Sequence, residues 1–396
     1  MEPATGDETM PERVYADWNA TAPLRPEARD AMIAVFGPAV NPSSVHTEGR
    51  AARRIVDTAR AQVAALVGAT PQQVVFTGGG TEANALALSP ALQPAGAKAG
   101  EPFQRLAVSA VEHPSVLSGG RFAKDAIVEV PVTQAGVIDV DALDAILAKG
   151  PRALVSVMLA NNETGVVQPI SEVAERVHAN GGLLHVDAVQ AAGKIAIDIN
   201  ALGADLYTIT AHKLGGPQGV GALILRQDIG LDPLVVGGGQ ERGRRPGTES
   251  VAAIAGFGAA AAEAAKLSAT DSMRARRDRL EAELLAQTPG AVVVGQAAPD
   301  RLPNTTLIAV PGLKGETAVI ALDLAGVAVS SGSACSSGKV TSSHVLHAMG
   351  LDPDLARGAV RLTLGWTTTE VDLDILLRAW NKVVPSLLRG QSSIAA

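Results

Sequence analysis

Short apolar runs alternate with stretches of helical periodicity through the first part of the chain, the pattern that parallel βαβ units produce. Gln73–Thr77 reads as a strand and runs into Gly78-Gly79-Gly80, after which Glu82–Leu88 has helical character. Arg105–Ala110 is a second strand, ending at Val111-Glu112-His113-Pro114, and Ala153–Leu159 a third, followed by the polar turn Asn161-Asn162-Glu163-Thr164-Gly165. The helical segment Ile170–Ala179 leads to strand Gly182–Val186 and then Asp187. Asp205–Thr210 leads to Ala211-His212-Lys213, and Gly221–Leu225 completes the series. Residue types able to do chemistry follow the C-terminal ends of these strands, where open α/β sheets bind ligands.

The pattern changes near 260–290, where an Ala-rich helix gives way to a charged one from Arg274 to Glu283. Strand-like Ala291–Val294 and Thr305–Val310 follow, then a helix over Glu316–Leu324. Ala328–Ser330 enters the Ser/Gly stretch around Cys335; helix Ser343–Met349 and strand Ala359–Leu364 come next. Thr367 with Glu370 three residues on reads as a capping box opening the last helix. The expected organisation is a large α/β domain over 21–264, a mainly parallel mixed sheet flanked by helices. A smaller α+β domain would comprise 1–20 and 265–396 and carry the cysteine loop at about 330–342.

Composition narrows this picture. At 396 residues, 47% hydrophobic and 18% charged, the chain has enough apolar surface for two cores. A net charge of −7 argues against nucleic-acid or anionic-membrane partners, which call for a basic face. Val251 to Leu267 is apolar but interrupted by Glu263 and Lys266, so it reads as a buried helix. The first residues carry Glu2, Asp7, Glu8 and Glu12 without an apolar run, and no signal peptide is expected. One cysteine permits no intrachain disulfide, which makes a reducing cytoplasm the expectation.

Four features invite chemistry, each with an ordinary alternative. The turn Gly78–Glu82 would let backbone amides and the Thr81 hydroxyl approach a phosphate, yet a plain tight turn has the same composition. It lacks the Gly-Lys-Ser/Thr of a P-loop; it fits Gly-x-Gly-x-x-Ala loosely, but Glu112 lies too far on for a ribose-binding acid. Lys213 ends an apolar strand, where desolvation favours the neutral amine of a Schiff-base lysine; a lysine leaving the strand for solvent looks alike. Asp187, 26 residues earlier, suits a cationic ring nitrogen or a helix N-cap. Cys335 is either a small core residue or a thiol in a mobile polar loop. His344 and His347 share a helix face without forming a metal signature, and no metal site is expected. Arg242, Arg244 and Arg245 would serve a phosphate or simply hydrate a loop.

Taken in order, the strings resemble the cysteine desulfurases, within the class V aminotransferase group of fold-type I pyridoxal-phosphate enzymes. The resemblance runs from Asn19-Ala20-Thr21-Ala22-Pro23 to Arg361-Leu362-Thr363-Leu364-Gly365. Between them it takes in Asn41-Pro42-Ser43-Ser44, Glu112-His113-Pro114, Asn161-Asn162-Glu163-Thr164-Gly165 and His185-Val186-Asp187-Ala188-Val189-Gln190. Ala211-His212-Lys213, Gly237-Gly238-Gly239-Gln240-Glu241-Arg242-Gly243 and the Cys335 loop complete it.

The resemblance implies a fold-type I transferase in which Lys213 carries pyridoxal 5'-phosphate and shuttles the substrate α-proton. Asp187 would pair with the ring nitrogen, Gln190 with the ring hydroxyl, and His113 would stack on the ring and assist proton transfer. Gly80, Thr81, Thr210 and His212 would hold the phosphate, and Thr248 would reach the phosphate of a partner subunit in a homodimer. Asn162 and Arg361 would position the substrate, Arg361 through a bidentate grip on its carboxylate. Cys335 would receive the sulfur of L-cysteine as a persulfide, leaving alanine, and pass it to an iron–sulfur scaffold or another acceptor.

Departures from the family pattern are few. Thr210 stands where serine is common, Thr77-Gly78-Gly79-Gly80-Thr81-Glu82 replaces Thr-Ser-Gly-Ala-Thr-Glu, and Trp18 and Trp366 stand where tyrosine and arginine are frequent. A selenocysteine lyase or another aminotransferase-like activity would use the same scaffold, although transamination needs no thiol. A non-catalytic subunit would not be expected to keep Lys213, Asp187, His113, Arg361 and Cys335 together.

Overall fold

The computed structural model describes residues 13–37, 41–93, 102–226, 229–332 and 343–392. Its strands are β1 (Val14–Tyr15), β2 (Val74–Thr77), β3 (Arg105–Ser109), β4 (Ile127–Val130), β5 (Ala153–Ser156), β6 (Leu183–Asp187) and β7 (Leu206–Thr210). β8 (Gly221–Leu225), β9 (Val292–Val293), β10 (Thr305–Ala309), β11 (Val327–Ala328), β12 (Ser330–Ser331) and β13 (Ala359–Thr363) follow.

Seven strands form one sheet in the order β2-β8-β7-β6-β5-β3-β4. The pairs from β7 to β4 are parallel, whereas β8 runs antiparallel to both its neighbours. β8 is therefore the single reversed strand, and β2 still points the same way as β7. The reason is local: the turn between β7 and β8 is too short for a crossover helix, so the chain returns antiparallel. The C-terminal ends of β2, β3, β5, β6 and β7 consequently share one edge. β4 is missing from the series expected from the sequence; this edge strand is half exposed, and Glu129 interrupts its apolar run.

Every residue of β5 to β8 is buried, because helices cover both faces. On one face Val155, Val186, Ile209 and Ile224 meet the helices Thr47–Leu66 and Val251–Ala264. On the other, Leu154, Leu183, Leu206 and Leu223 pack with Leu86 and Ala87 of the helix Gly80–Ala87. The expected buried helix at Val251 runs to Ala264, and among the described residues no helix is long and apolar enough to cross a membrane.

The second sheet, β12-β13-β10-β9, is antiparallel. Its core joins Ile308, Val360 and Leu362 to Leu280 and Leu284 of one helix and Leu373, Leu376 and Trp380 of the last. Val14 and Ala16 belong to this same core, and β1 pairs in parallel with β11. Two sequence readings are corrected here. The run expected as one strand, Ala328–Ser330, is two: β11 pairs with β1 and β12 with β13. The last helix begins at Glu370, not Thr367. Its capping box is one made by Thr369 and Asp372: Asp372 Oδ2 accepts from the Thr369 amide at 2.7 Å, and Thr369 Oγ1 accepts from the Asp372 amide at 3.2 Å.

The loop at 237–248 is pinned to the large sheet by a buried ion pair. Arg60 reaches Glu241 through both terminal nitrogens, at 2.6 and 2.7 Å, and Glu241 also accepts from the Phe76 amide in β2. These bonds sustain left-handed backbone at Glu241 and Arg242, where side chains disfavour it. The three arginines of this region do not form one cluster: Arg245 pairs with Glu82, while Arg242 donates to the Gln72 carbonyl. Arg60→Ala strands the Glu241 carboxylate in the interior and is expected to destabilise by about 3–5 kcal/mol. Arg60→Met with Glu241→Leu should recover most of that loss in urea unfolding; equal loss in single and double variants would contradict a pair held by mutual charge.

Candidate active site

The sheet edge delivers its loops to one cavity of about 320 Å³. Asp187 ends β6 and is buried, with its oxygens accepting from Asn84 Nδ2 at 2.9 Å and the Val189 amide at 3.0 Å. Both donors are neutral. Lys213, three residues beyond β7, turns its Nζ to the carbonyls of Asn19 and Ala20 at 2.7 and 2.6 Å. Asp187 and Lys213 both line the cavity, together with His113, Asn162, Gln190 and Arg361.

One end of the cavity is built for an anion. Gly79 has φ of +152°, and the helix Gly80–Ala87 begins directly after it. The first amides of a helix have no partner within it, and the helix dipole favours negative charge there. Gly221 permits the arrangement: a Cβ on it would lie 2.7 Å from the Gly79 carbonyl carbon. Gly80, Thr81, Thr210 and His212 line both this cavity and a wider recess of about 770 Å³ beyond it. His212 is pushed down to about 4 by burial and then by Lys213, so its ring is neutral near pH 7. Its Nδ1 lies 3.2 Å from Thr21 Oγ1. Thr248 is exposed and lines neither space.

The opposite end carries Arg361, buried on β13. The sequence reading reserves its guanidinium for a carboxylate, and here part of it is already engaged. One terminal nitrogen donates to the Asn162 carbonyl at 3.0 Å and the other to Asp17 at 2.7 Å. Its Nε is buried and has no hydrogen-bond partner among the described residues. Gln190 is likewise held, donating to the Asn19 carbonyl and accepting from Lys194 Nζ at 2.8 Å. Lys194 lies well below the ordinary lysine range because it is buried, with Lys213 and Arg361 adding repulsion.

His113 caps the short helix Pro114–Leu117, its Nδ1 accepting from the Ser115 amide at 3.2 Å. Burial lowers its proton affinity, and Lys213 and His344 lower it further against the pull of Asp187. His344 Nε2 lies 2.9 Å from the Glu112 carbonyl. Among the described residues no cluster of His, Cys, Asp and Glu has metal-binding proportions. Cys335 lies outside the described residues. Ser343, which resumes the chain after that segment, donates to Glu163 Oε2 at 2.5 Å. Burial drives Glu163 up to about 7.

Sequence reasoning passed over Asp17, Asn84, Ser115 and Lys194, and gave Asn19 no role. A signal existed for two of them. Asn84 falls one helical turn after Gly80 and Lys194 four residues after Gln190, spacings that put each beside a residue already singled out.

A model of the family described as Aminotransferase class-V matches residues 14–376. A curated cysteine desulfurase from Cereibacter sphaeroides is 44% identical over 387 residues, covering 95% of this chain and 97% of that protein. Another from Trichormus azollae is 41% identical over 384 residues, covering 94% and 93%. Among solved structures, a NifS-like protein from Rickettsia africae superposes with a TM-score of 0.84 at 34% identity, covering 94% of this chain and 99% of that one.

Glu163 gives the site a pH signature. Its folded value near 7 exceeds the ordinary 4.5, so the folded chain binds the extra proton between those limits. Stability from this group is present below about pH 4.5 and lost as pH rises through about 7. Glu163→Gln is expected to reduce the fall in stability between pH 5 and 8 by on the order of 3 kcal/mol. Urea unfolding at both pH values measures it; equal pH slopes in the two proteins would show that Glu163 does not titrate this way.

Proposed function

The chain belongs to the class V aminotransferase family, and we propose that within it the protein is a cysteine desulfurase, converting L-cysteine to L-alanine and passing the sulfur to Cys335. One observation carries this reading: a lysine amine, a buried carboxylate with neutral donors only, and open helix-start amides all face one cavity with Arg361. That donor set fits pyridoxal phosphate. Lys213 would hold its aldehyde carbon, Asp187 its ring nitrogen, and Gly80, Thr81, Thr210 and His212 its phosphate. When bound, the group supplies an electron sink that acidifies the substrate α-carbon.

The protein's own residues then divide the work. The Asn19 and Ala20 carbonyls orient Lys213 Nζ, the atom that would take and return the α-proton. Arg361 lines the cavity and would meet the substrate carboxylate through the second hydrogens of its terminal nitrogens, while Asp17 and Asn162 fix the plane of the guanidinium. The Cys335 thiolate would attack the substrate sulfur. A new S–S bond forms, the substrate C–S bond breaks, and carbon gains a proton to give alanine and a persulfide. The second proton of Gln190 Nε2 is free of its Asn19 bond and would serve the ring hydroxyl.

We take the protein as a homodimer, in which Thr248, exposed on one chain, would contact the partner's phosphate site. An iron–sulfur scaffold protein is the acceptor that fits a persulfide donor, and the single cysteine suits the reducing cytoplasm. With pyridoxal phosphate and a reductant, L-cysteine should yield alanine and sulfide in equal amounts. Cys335→Ala should lose both, and Lys213→Ala should also lose the visible absorption of the lysine-bound cofactor. Bound cofactor without alanine formation would overturn the choice of substrate; unimpaired turnover in Cys335→Ala would overturn the role of the thiol.

A further inference from the structure

Asn84 has the geometry of a coupler. Its side-chain nitrogen carries two hydrogens, and both are used: one goes to Asp187 Oδ2 and the other to Ser115 Oγ, each at 2.9 Å. The reverse amide orientation would set Oδ1 against the Asp187 carboxylate, so these contacts fix which end is nitrogen. Since Ser115 Oγ accepts from Asn84, its own hydrogen is available to His113 Nδ1, 2.8 Å away. The Ser115 amide also donates to that nitrogen. Two donors on Nδ1 leave no place for a proton there.

We propose that Asn84 and Ser115 are positioning residues that tie Asp187 to His113 and hold the His113 ring neutral with its proton on Nε2. One carboxylate then controls both the bound ring nitrogen and, through two hydrogen bonds, the tautomer of the imidazole facing the same cavity. His113 enters the site as a hydrogen-bond donor. While the Ser115 hydroxyl and amide both point at Nδ1, that nitrogen is not a base. Burial opposes a charge on the ring, as do Lys213 and His344, against the pull of Asp187. Asn84 Oδ1, buried and without a partner among the described residues, keeps an acceptor beside the cavity.

This inference rests on His113 and Asp187 belonging to the site proposed above. Its test uses no L-cysteine, so its failure and the failure of the desulfurase reading are separate results. The seven histidines are followed by NMR across pH in the full chain, without and with pyridoxal phosphate, and His113→Gln identifies the His113 signal. Ser115→Ala removes the hydroxyl donor that opposes protonation of Nδ1, and should raise the proton affinity of His113 about tenfold. Asn84→Leu frees the same hydroxyl to rotate and accept, with a shift of the same sign and about the same size. Asn84→Ala replaces it if leucine does not fit. Because both substitutions act through one bond, the double variant should repeat the single shift rather than multiply it. Titrations unmoved in Ser115→Ala, or single shifts that multiply in the double variant, overturn the proposal.

Discussion

Asn19 uses every polar atom it has. Its amide donates to Thr363 Oγ1, and its side-chain nitrogen donates to the Asn162 carbonyl and Thr305 Oγ1. Its carbonyl accepts from Lys213 and Gln190, and its side-chain oxygen from Lys194 and Asn304. Thr305, Asn304 and Thr363 belong to the second sheet and its border; Lys213, Gln190 and Asn162 belong to loops of the first. A buried polar network of this kind is stable only when each member is satisfied. The position of the lysine in the cavity is therefore inseparable from the packing of the two sheets.

Much of this was legible because strand ends mark themselves. Asp187 and Lys213 follow apolar runs whose burial on both faces makes them conspicuous, and the glycine turn stands between a strand and a helix. Strand direction was less legible, since an apolar run reads the same whichever way it points. Only the shortness of the β7–β8 connection betrays the reversal of β8. Least legible were residues whose partners are other side chains. Asn84 and Ser115 gain their meaning from a bond between two different helices, joining residues 31 apart in the chain. Asp17 looked like one more residue of an N-terminal string until β13 brought Arg361 against it.

Burial sets the charge states of the groups around the cavity. Lys194 and Lys213 are both held by Asn19, through a side-chain and a backbone oxygen. Glu112 lies well above the ordinary carboxylate range through burial and the nearby charge of Asp187. Burial thus favours the neutral forms of both Glu112 and Lys194.

The reach of β1 and Asn19 along the chain has a consequence for synthesis. As the polypeptide leaves the ribosome, the seven strands of the large sheet are all present once Leu225 has been made. Asn19, made before any of these strands, must wait for Thr305 and Thr363 before its bonds can close. Lys213 is translated well before the scaffold that aims it is complete. A nascent chain can therefore carry every strand of the sheet and a reactive amine while lacking a working site, and competence waits for Thr363 to be made.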